Sequence, residues 1–387
     1  MAIAFLCLIL AWLVAERARH ERRLARIPIR VHVNGTRGKS GVTRLIAAAL
    51  RRSGIPTVAK TTGGAPVLIL PDGSEETIRR HSPANIQEQL RVVARAERLG
   101  ARAVVVECMA LDPALQLVSE TAMIRSTVGV ITNVRPDHFE VMGEILDDAA
   151  GALSGTIPMG GVLVTGDHRY FPFFSEAAAR KGSRAVLACA PGVVGDGEDA
   201  CRGVGFFPEN AEIARSVCRE LGLDPDVVDR CVDDADASGE GAGVFRIPVG
   251  GKTVHFLDAF AANDVESTRI LQERAMARGA CPRPWIALFN NRADRPLRMK
   301  SFADDLLAGS PYDLIAVTGE GCGLARRYFR GKVKDREIVV LSGGSPHRLL
   351  GGLARNADWE ECTVVGMGNE KWGGRSLSRL FREARAR

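Results

Sequence analysis

Ten residues near the start of the chain restrict its fold more than any other stretch: Val31-His32-Val33-Asn34-Gly35-Thr36-Arg37-Gly38-Lys39-Ser40. Ile29, Val31 and Val33 alternate with polar residues, which is the period of a strand. Gly35 and Gly38 bracket a turn, and Gly41 to Arg52 has helical spacing. A strand that feeds a helix through a glycine-rich turn aims backbone N–H groups and the positive end of a helix dipole at one spot, which suits a phosphate. Lys39 can reach the outer phosphates and the Ser40 hydroxyl can ligate Mg²⁺. The loop is shorter than the common G-x-x-x-x-G-K-S/T pattern, because Val33 stands where that pattern needs glycine. Taken alone, the turn also fits a plain strand-to-helix connection, so the rest of a nucleotide site has to be sought elsewhere.

The remaining chain supplies candidates. Pro56 to Lys60 reads as a second strand, followed by the hydroxyl-rich turn Thr61-Thr62-Gly63 and a hairpin around Pro71-Asp72-Gly73. Asn85 to Leu99 has helical spacing and stops at Gly100. Ala103 to Glu107 is a near-continuous apolar run with a carboxylate at its end, and Val128 to Thr132 leads into Asn133-Val134-Arg135-Pro136-Asp137-His138. Val162 to Thr165 and Ala185 to Ala188 are further strands, and Phe207 to Leu221 reads as a helix. Strands alternating with helices predict a parallel α/β sheet whose ligands sit at the carboxyl edge, where Glu107 and His138 both fall. A boundary is expected in the acidic, small-residue stretch near Ala235 to Gly243. A second α/β unit follows, with strands at Val254 to Asp258, Trp285 to Asn290, Leu314 to Thr318, Ile338 to Leu341 and Thr363 to Gly366, and a helix at Asp264 to Arg278. The expected division is residues 1–26, 27–238 and 239–387.

The first of these segments is distinctive. Ala2 to Ala15 carries no charge, and an arginine-rich flank from Arg17 to Arg30 follows. Positive charge after the apolar run is the reverse of a signal peptide and matches a membrane anchor whose remaining chain stays cytoplasmic. The run is shorter than the ~20 residues of a full span. An interfacial helix, a signal peptide and a buried core helix remain alternatives. The net charge of +6 is spread along the chain without a basic block interleaved with aromatics, so nucleic acid is not the indicated partner. Nine scattered cysteines with no C-x-x-C argue against a disulfide framework or a zinc site. Cys108, beside Glu107, reads either as a nucleophile or as a small buried residue.

At these motifs the sequence resembles the Mur ligase superfamily, which includes folylpolyglutamate synthases. Gly35-Thr36-Arg37-Gly38-Lys39-Ser40 is similar to its G-T-x-G-K-S/T loop, Glu107 to its metal-binding glutamate, and Thr132 to His138 to its T-N-x-x-x-D-H motif. Thr62 sits where the family keeps a hydroxyl turn near the γ-phosphate. In the second unit, Asp258 to Asp264 resembles the D-x-A-H-N-P segment with Asn263 as its asparagine. Phe289 to Arg295 resembles the F-G-x-x-x-D-K/R stretch, which brings in Arg292 and Asp294. Two departures matter. No lysine stands near Leu153, where Mur ligases carry one that is commonly carbamylated, and the N-terminal domain of the UDP-linked enzymes has no counterpart. With the apolar N-terminus and Phe260-Ala261-Ala262-Asn263-Asp264, the chain looks like the ligase subunit of bacterial poly-γ-glutamate synthase, the PgsB/CapB family.

The resemblance implies a P-loop-containing Mur-ligase-like ATPase domain followed by a smaller Rossmann-like α/β domain. It implies an ATP- and Mg²⁺-dependent amide ligase that polymerises glutamate through an acyl phosphate. The implied roles are Lys39, Glu107 and His138 in catalysis, and Ser40, Thr62, Glu107 and His138 at metals. Gly35, Thr36, Arg37, Gly38, Lys39, Ser40, Asn263, Arg292 and Asp294 would contact the nucleotide. Glutamate, the poly-γ-glutamate chain and other membrane subunits of the synthase are the implied partners. A cytosolic folylpolyglutamate-type ligase and a membrane-associated NTPase without ligase activity remain alternatives.

Overall fold

The computed structural model describes residues 2–62, 66–80, 83–135, 143, 145–188, 208–238, 244–249, 251–260, 262, 264–277, 279, 281–309, 311–333, 336–341, 351–352, 359–369 and 373–385. The chain divides into two compact units, the second carrying residues from Ala235 to the C-terminus.

The first unit is built on an eight-stranded sheet: β1 (Ile29–Asn34), β2 (Thr57–Thr61), β3 (Val67–Ile69), β4 (Glu75–Thr77), β5 (Ala103–Glu107), β6 (Val128–Ile131), β7 (Val162–Thr165) and β8 (Arg184–Leu187). Their order is β4-β3-β2-β5-β1-β6-β7-β8. The strands are parallel except for the β3–β4 hairpin, which adds antiparallel strands beside β2. Both faces are covered, which is why β5 reads as an unbroken apolar run. On one face α2 (Lys39–Arg52) and the helices Pro208–Glu220 and Val227–Ser238 pack over Val31, Val33 and Val105. On the other, α3 (Glu88–Arg98) lays Val92, Val93 and Ala96 against Val58, Val104 and Val106. The stretch after Val227, read from its acidic residues as the approach to a boundary, is thus helical to Ser238. Val228, Cys231 and Val232 form its buried stripe.

The apolar N-terminus and the arginine flank form one helix, α1 (Ala2–Arg26). Only its last turns join the body: Leu24 and the following Ile27 enter the α3 core, and His20 Nε2 lies 2.8 Å from the Met123 carbonyl oxygen. Before that, the residues are exposed on every face, with Phe5 at 67% and Trp12 at 57%. Among the described residues no helix is long and apolar enough to cross a membrane. In α1 the uncharged stretch ends at Ala15, and Glu16, Glu21 and five arginines follow.

The second unit carries a six-stranded sheet of order β13-β12-β11-β14-β10-β9. Its strands are β9 (Val244–Val249), β10 (Lys252–Asp258), β11 (Trp285–Asn291), β12 (Leu314–Gly319), β13 (Glu337–Val340) and β14 (Glu361–Gly368). All are parallel except β9, an antiparallel edge that the sequence reading did not anticipate.

Candidate active site at the carboxyl edge of the first sheet

β1 has β5 on one side and β6 on the other, with Val33 in register with Glu107 and Asn34 with Ile131. The chain leaves β1 through α2 towards β2 on the β5 side, whereas it leaves β5 for β6 on the other side of β1, and such a reversal opens a crevice at the carboxyl ends. The phosphate loop fills it. Gly35 has φ 125°, and a Cβ there would come 2.0 Å from Thr132 Oγ1. Gly38 has φ 80°, and a Cβ there would come 2.5 Å from Asn210 Oδ1. Both positions therefore require glycine for conformation and for space.

The loop is braced from β6. The Thr36 amide donates to the Asn133 carbonyl at 3.0 Å, and the Arg37 amide to Asn133 Oδ1 at 3.0 Å. The Thr36 hydroxyl donates to Asn133 Oδ1 at 2.8 Å and accepts from the Arg135 amide at 2.8 Å. Thr132 Oγ1 closes the brace on the Arg37 carbonyl at 2.5 Å. The amides of Thr36 and Arg37 are thus engaged with Asn133 in this structure. α2 opens directly after this loop, and a helix's first amides have no partner within the helix.

The side chains named from the sequence meet here in part. Ser40 Oγ donates to Glu107 Oε2 at 2.7 Å, and the same oxygen accepts the Thr62 amide at 2.7 Å. Thr62 therefore joins the site through its backbone. Glu107 is 3% exposed, and Gln89 Nε2 holds its backbone carbonyl at 3.3 Å. Lys39 folds back onto its own loop, donating to the Gly35 carbonyl at 2.6 Å and to that of Thr36 at 3.3 Å. A hydroxyl and a carboxylate oxygen converging at a helix start form the hard-oxygen set that Mg²⁺ prefers. Among the described residues no group of three or more His, Cys, Asp or Glu side chains could hold a metal. A cation here would depend on Ser40, Glu107, phosphate oxygens and water. His138 and Asn263 lie outside the described residues.

Arg292 and Asp294 lie in the second unit after β11 and bond each other, Nε to Oδ1 at 2.9 Å and Nη2 to Oδ2 at 2.5 Å. Partial desolvation raises the Asp294 pKa, but the Arg292 guanidinium outweighs it and holds the carboxyl below its ordinary range. At the same carboxyl edge Asn290 Nδ2 donates to the Asn369 carbonyl at 2.5 Å, and Arg298 Nη1 to Asn369 Oδ1 at 2.6 Å. Asn210 and Asn369 were not singled out from the sequence, and Asn133 entered only as part of the T-N-x-x-x-D-H motif, without a role of its own. For Asn210 the available signal was a lone amide just inside the helix that opens at Pro208. Cys108 is 2% exposed, in keeping with a packing role.

Two family models match the chain: the Mur ligase middle domain over residues 33–190 and the poly-gamma-glutamate synthase CapB C-terminal domain over residues 244–384. The capsule biosynthesis protein CapB of Bacillus anthracis is 35% identical over 92% of this chain and 76% of its own. PGA synthase CapB of Bacillus subtilis is 33% identical over 92% of this chain and 91% of its own. The chain belongs to the CapB family. Among solved structures, a bifunctional folylpolyglutamate synthase/dihydrofolate synthase with Mn, AMPPNP and L-glutamate bound superposes with a TM-score of 0.62. That match covers 94% of this chain and 92% of the other at 15% identity, so it speaks for the fold. In this CapB-family chain the Mur-type loop, Ser40 and Glu107 all fall inside the matched middle domain.

Proposed function

We propose that this chain is the ATP-dependent ligase that joins glutamate through γ-amide bonds into poly-γ-glutamate. The observation that carries the reading is the Ser40–Glu107 contact directly behind Lys39, at the reversal point of the sheet, in a member of the CapB family. ATP is the phosphoryl donor. A divalent cation, which we take to be Mg²⁺, neutralises charge on the β- and γ-phosphate oxygens when bound. Ser40 Oγ and Glu107 Oε2 would hold it, and His138 is assigned to a second cation by family resemblance.

Phosphoryl transfer needs positioning and charge stabilisation more than covalent help. Lys39 leaves the carbonyls of Gly35 and Thr36 when phosphate arrives and turns its ammonium to the outer phosphates. The γ-phosphoryl group passes from ATP to a carboxylate oxygen at the end of the glutamate chain, giving an acyl phosphate and releasing ADP. The amine of the incoming glutamate attacks the acyl carbon, phosphate leaves, and the amine proton goes to solvent. Asn263, Arg292 and Asp294 are assigned to nucleotide contact by the same resemblance.

We assign α1 to a membrane. Its first half is uncharged and exposed on all sides, and such a helix is stable only when lipid or protein covers it. The arginines that follow support a cytoplasmic side for the rest of the chain, since positive charge flanking an apolar segment stays inside. Other subunits of the synthase would carry the polymer across, since a single short apolar segment cannot form a channel.

The test measures ADP release in membranes containing those subunits, with and without glutamate. Release is expected to depend on glutamate and to vanish in Lys39→Ala. A Lys39→Ala enzyme that still made γ-linked polymer would overturn the proposal, and glutamate-independent release would point to a plain NTPase.

A further inference from the structure

Lys60 is completely buried near the end of β2. Its ammonium lies 3.1 Å from Glu88 Oε2 and 3.2 Å from Met109 Sδ. Arg80 grips the same carboxylate, Nε to Oε1 at 2.6 Å and Nη2 to Oε2 at 3.0 Å. Two cations thus share one anion inside the protein. Burial pulls the Lys60 pKa down and Glu88 opposes that pull. A buried ion pair is a poor source of stability, because desolvating the charges offsets their attraction. Its location points to another use.

Every partner of Lys60 is one step from Glu107. Lys60 is the last β2 residue in register with β5, facing Val106. Two residues on, the Thr62 amide reaches Glu107 Oε2. Glu88 opens α3 beside Gln89, which holds the Glu107 backbone carbonyl. Met109 lies two residues past Glu107. The ammonium therefore fastens the end of β2, the first turn of α3 and the segment after β5 to one another where regular strand pairing stops.

We infer that Lys60 is a positioning residue for Glu107: through Glu88 and Met109 it fixes the backbone around that carboxylate so that Ser40 and a divalent cation can meet it. The inference rests on reading Glu107 as a cation ligand. A methionine of similar length would fill the same space without fastening Glu88, so packing and positioning can be separated.

The experiment titrates Mn²⁺ by electron paramagnetic resonance into the full chain with a non-hydrolysable ATP analogue, with thermal unfolding recorded in parallel. Lys60→Met is expected to fold and to bind Mn²⁺ about tenfold more weakly, the scale at which outer partners of a ligand act. Analogue binding without metal should be unchanged. A folded Lys60→Met that binds Mn²⁺ like the parent overturns the inference. Should Lys60→Met not fold, Glu88→Gln carries the test on the same terms, with weakened Mn²⁺ expected and parental binding refuting it. Glu107→Gln distinguishes the two readings: parental Mn²⁺ binding in that variant overturns the assignment of Glu107 and the inference with it.

Discussion

Replacing Glu120 by glutamine removes the charge around which His32 is buried. Glu120 Oε2 lies 2.8 Å from His32 Nδ1, and its Oε1 accepts from the Ser126 amide and hydroxyl, both at 2.8 Å. The two side chains are 0% and 2% exposed. Burial alone lowers the imidazole pKa, but Cys108 and Glu120 more than reverse this and raise it to about 10. The unfolded chain releases the proton near pH ~6.5. Between those values the folded protein keeps a proton that the unfolded chain has lost, so raising the pH favours unfolding. The contribution is complete below about pH 6.5 and declines by up to roughly 1.4 kcal/mol per pH unit as the pH rises towards ten. Removing one partner of a buried pair costs about 3–5 kcal/mol, which is compatible with that decline. Amide exchange of β1, corrected for intrinsic pH dependence, reads the stability of this unit in the intact chain. The parent should lose stability between about pH 6.5 and 9, and Glu120→Gln should start lower and stay flatter across that range. Two curves that fall in parallel, or a parent that stays level, would refute the argument.

Two further outcomes follow from the loop. Gly38→Ala forces a side chain onto φ 80° and against Asn210 Oδ1, so calorimetry should show weaker binding of an ATP analogue, and a second change, Asn210→Ala, should restore part of it. The strain of a left-handed non-glycine residue is about 1–2 kcal/mol, which sets the expected loss near tenfold. Ser40→Ala should leave the melting temperature within a degree or two, because the hydroxyl contacts a partly solvated site, yet raise the Mg²⁺ concentration needed for half-maximal ADP release.

The sequence was most readable where burial writes a simple pattern. Ala103 to Glu107 announced a central parallel strand because both its faces are covered, and Gly35 and Gly38 announced a turn because no other residue fits there. It was least readable where a residue acts across a long stretch of chain. Asn133 braces Arg37, 96 residues away, and its place in a T-N motif did not reveal that it uses up two loop amides. Asn210 covers Gly38 from a helix that packs beside α2 but lies far along the chain. Lys60 was read only as the end of a second strand, since a charge that turns inward has the same letter as one that turns out. Helix Val227–Ser238 was hidden by its aspartates, which line the outside of an otherwise apolar stripe.

β1 has a consequence for the proposed membrane enzyme. Its amino end receives the chain from α1, and its carboxyl end delivers the phosphate loop. Six extended residues span about 20 Å. Hydrogen-bonded on both sides and enclosed on both faces, this strand cannot stretch or shorten. It works as a fixed standoff between the end of α1 and the start of the phosphate loop. On the membrane seating proposed above, the phosphate chemistry would take place one strand length from the point where α1 enters the fold.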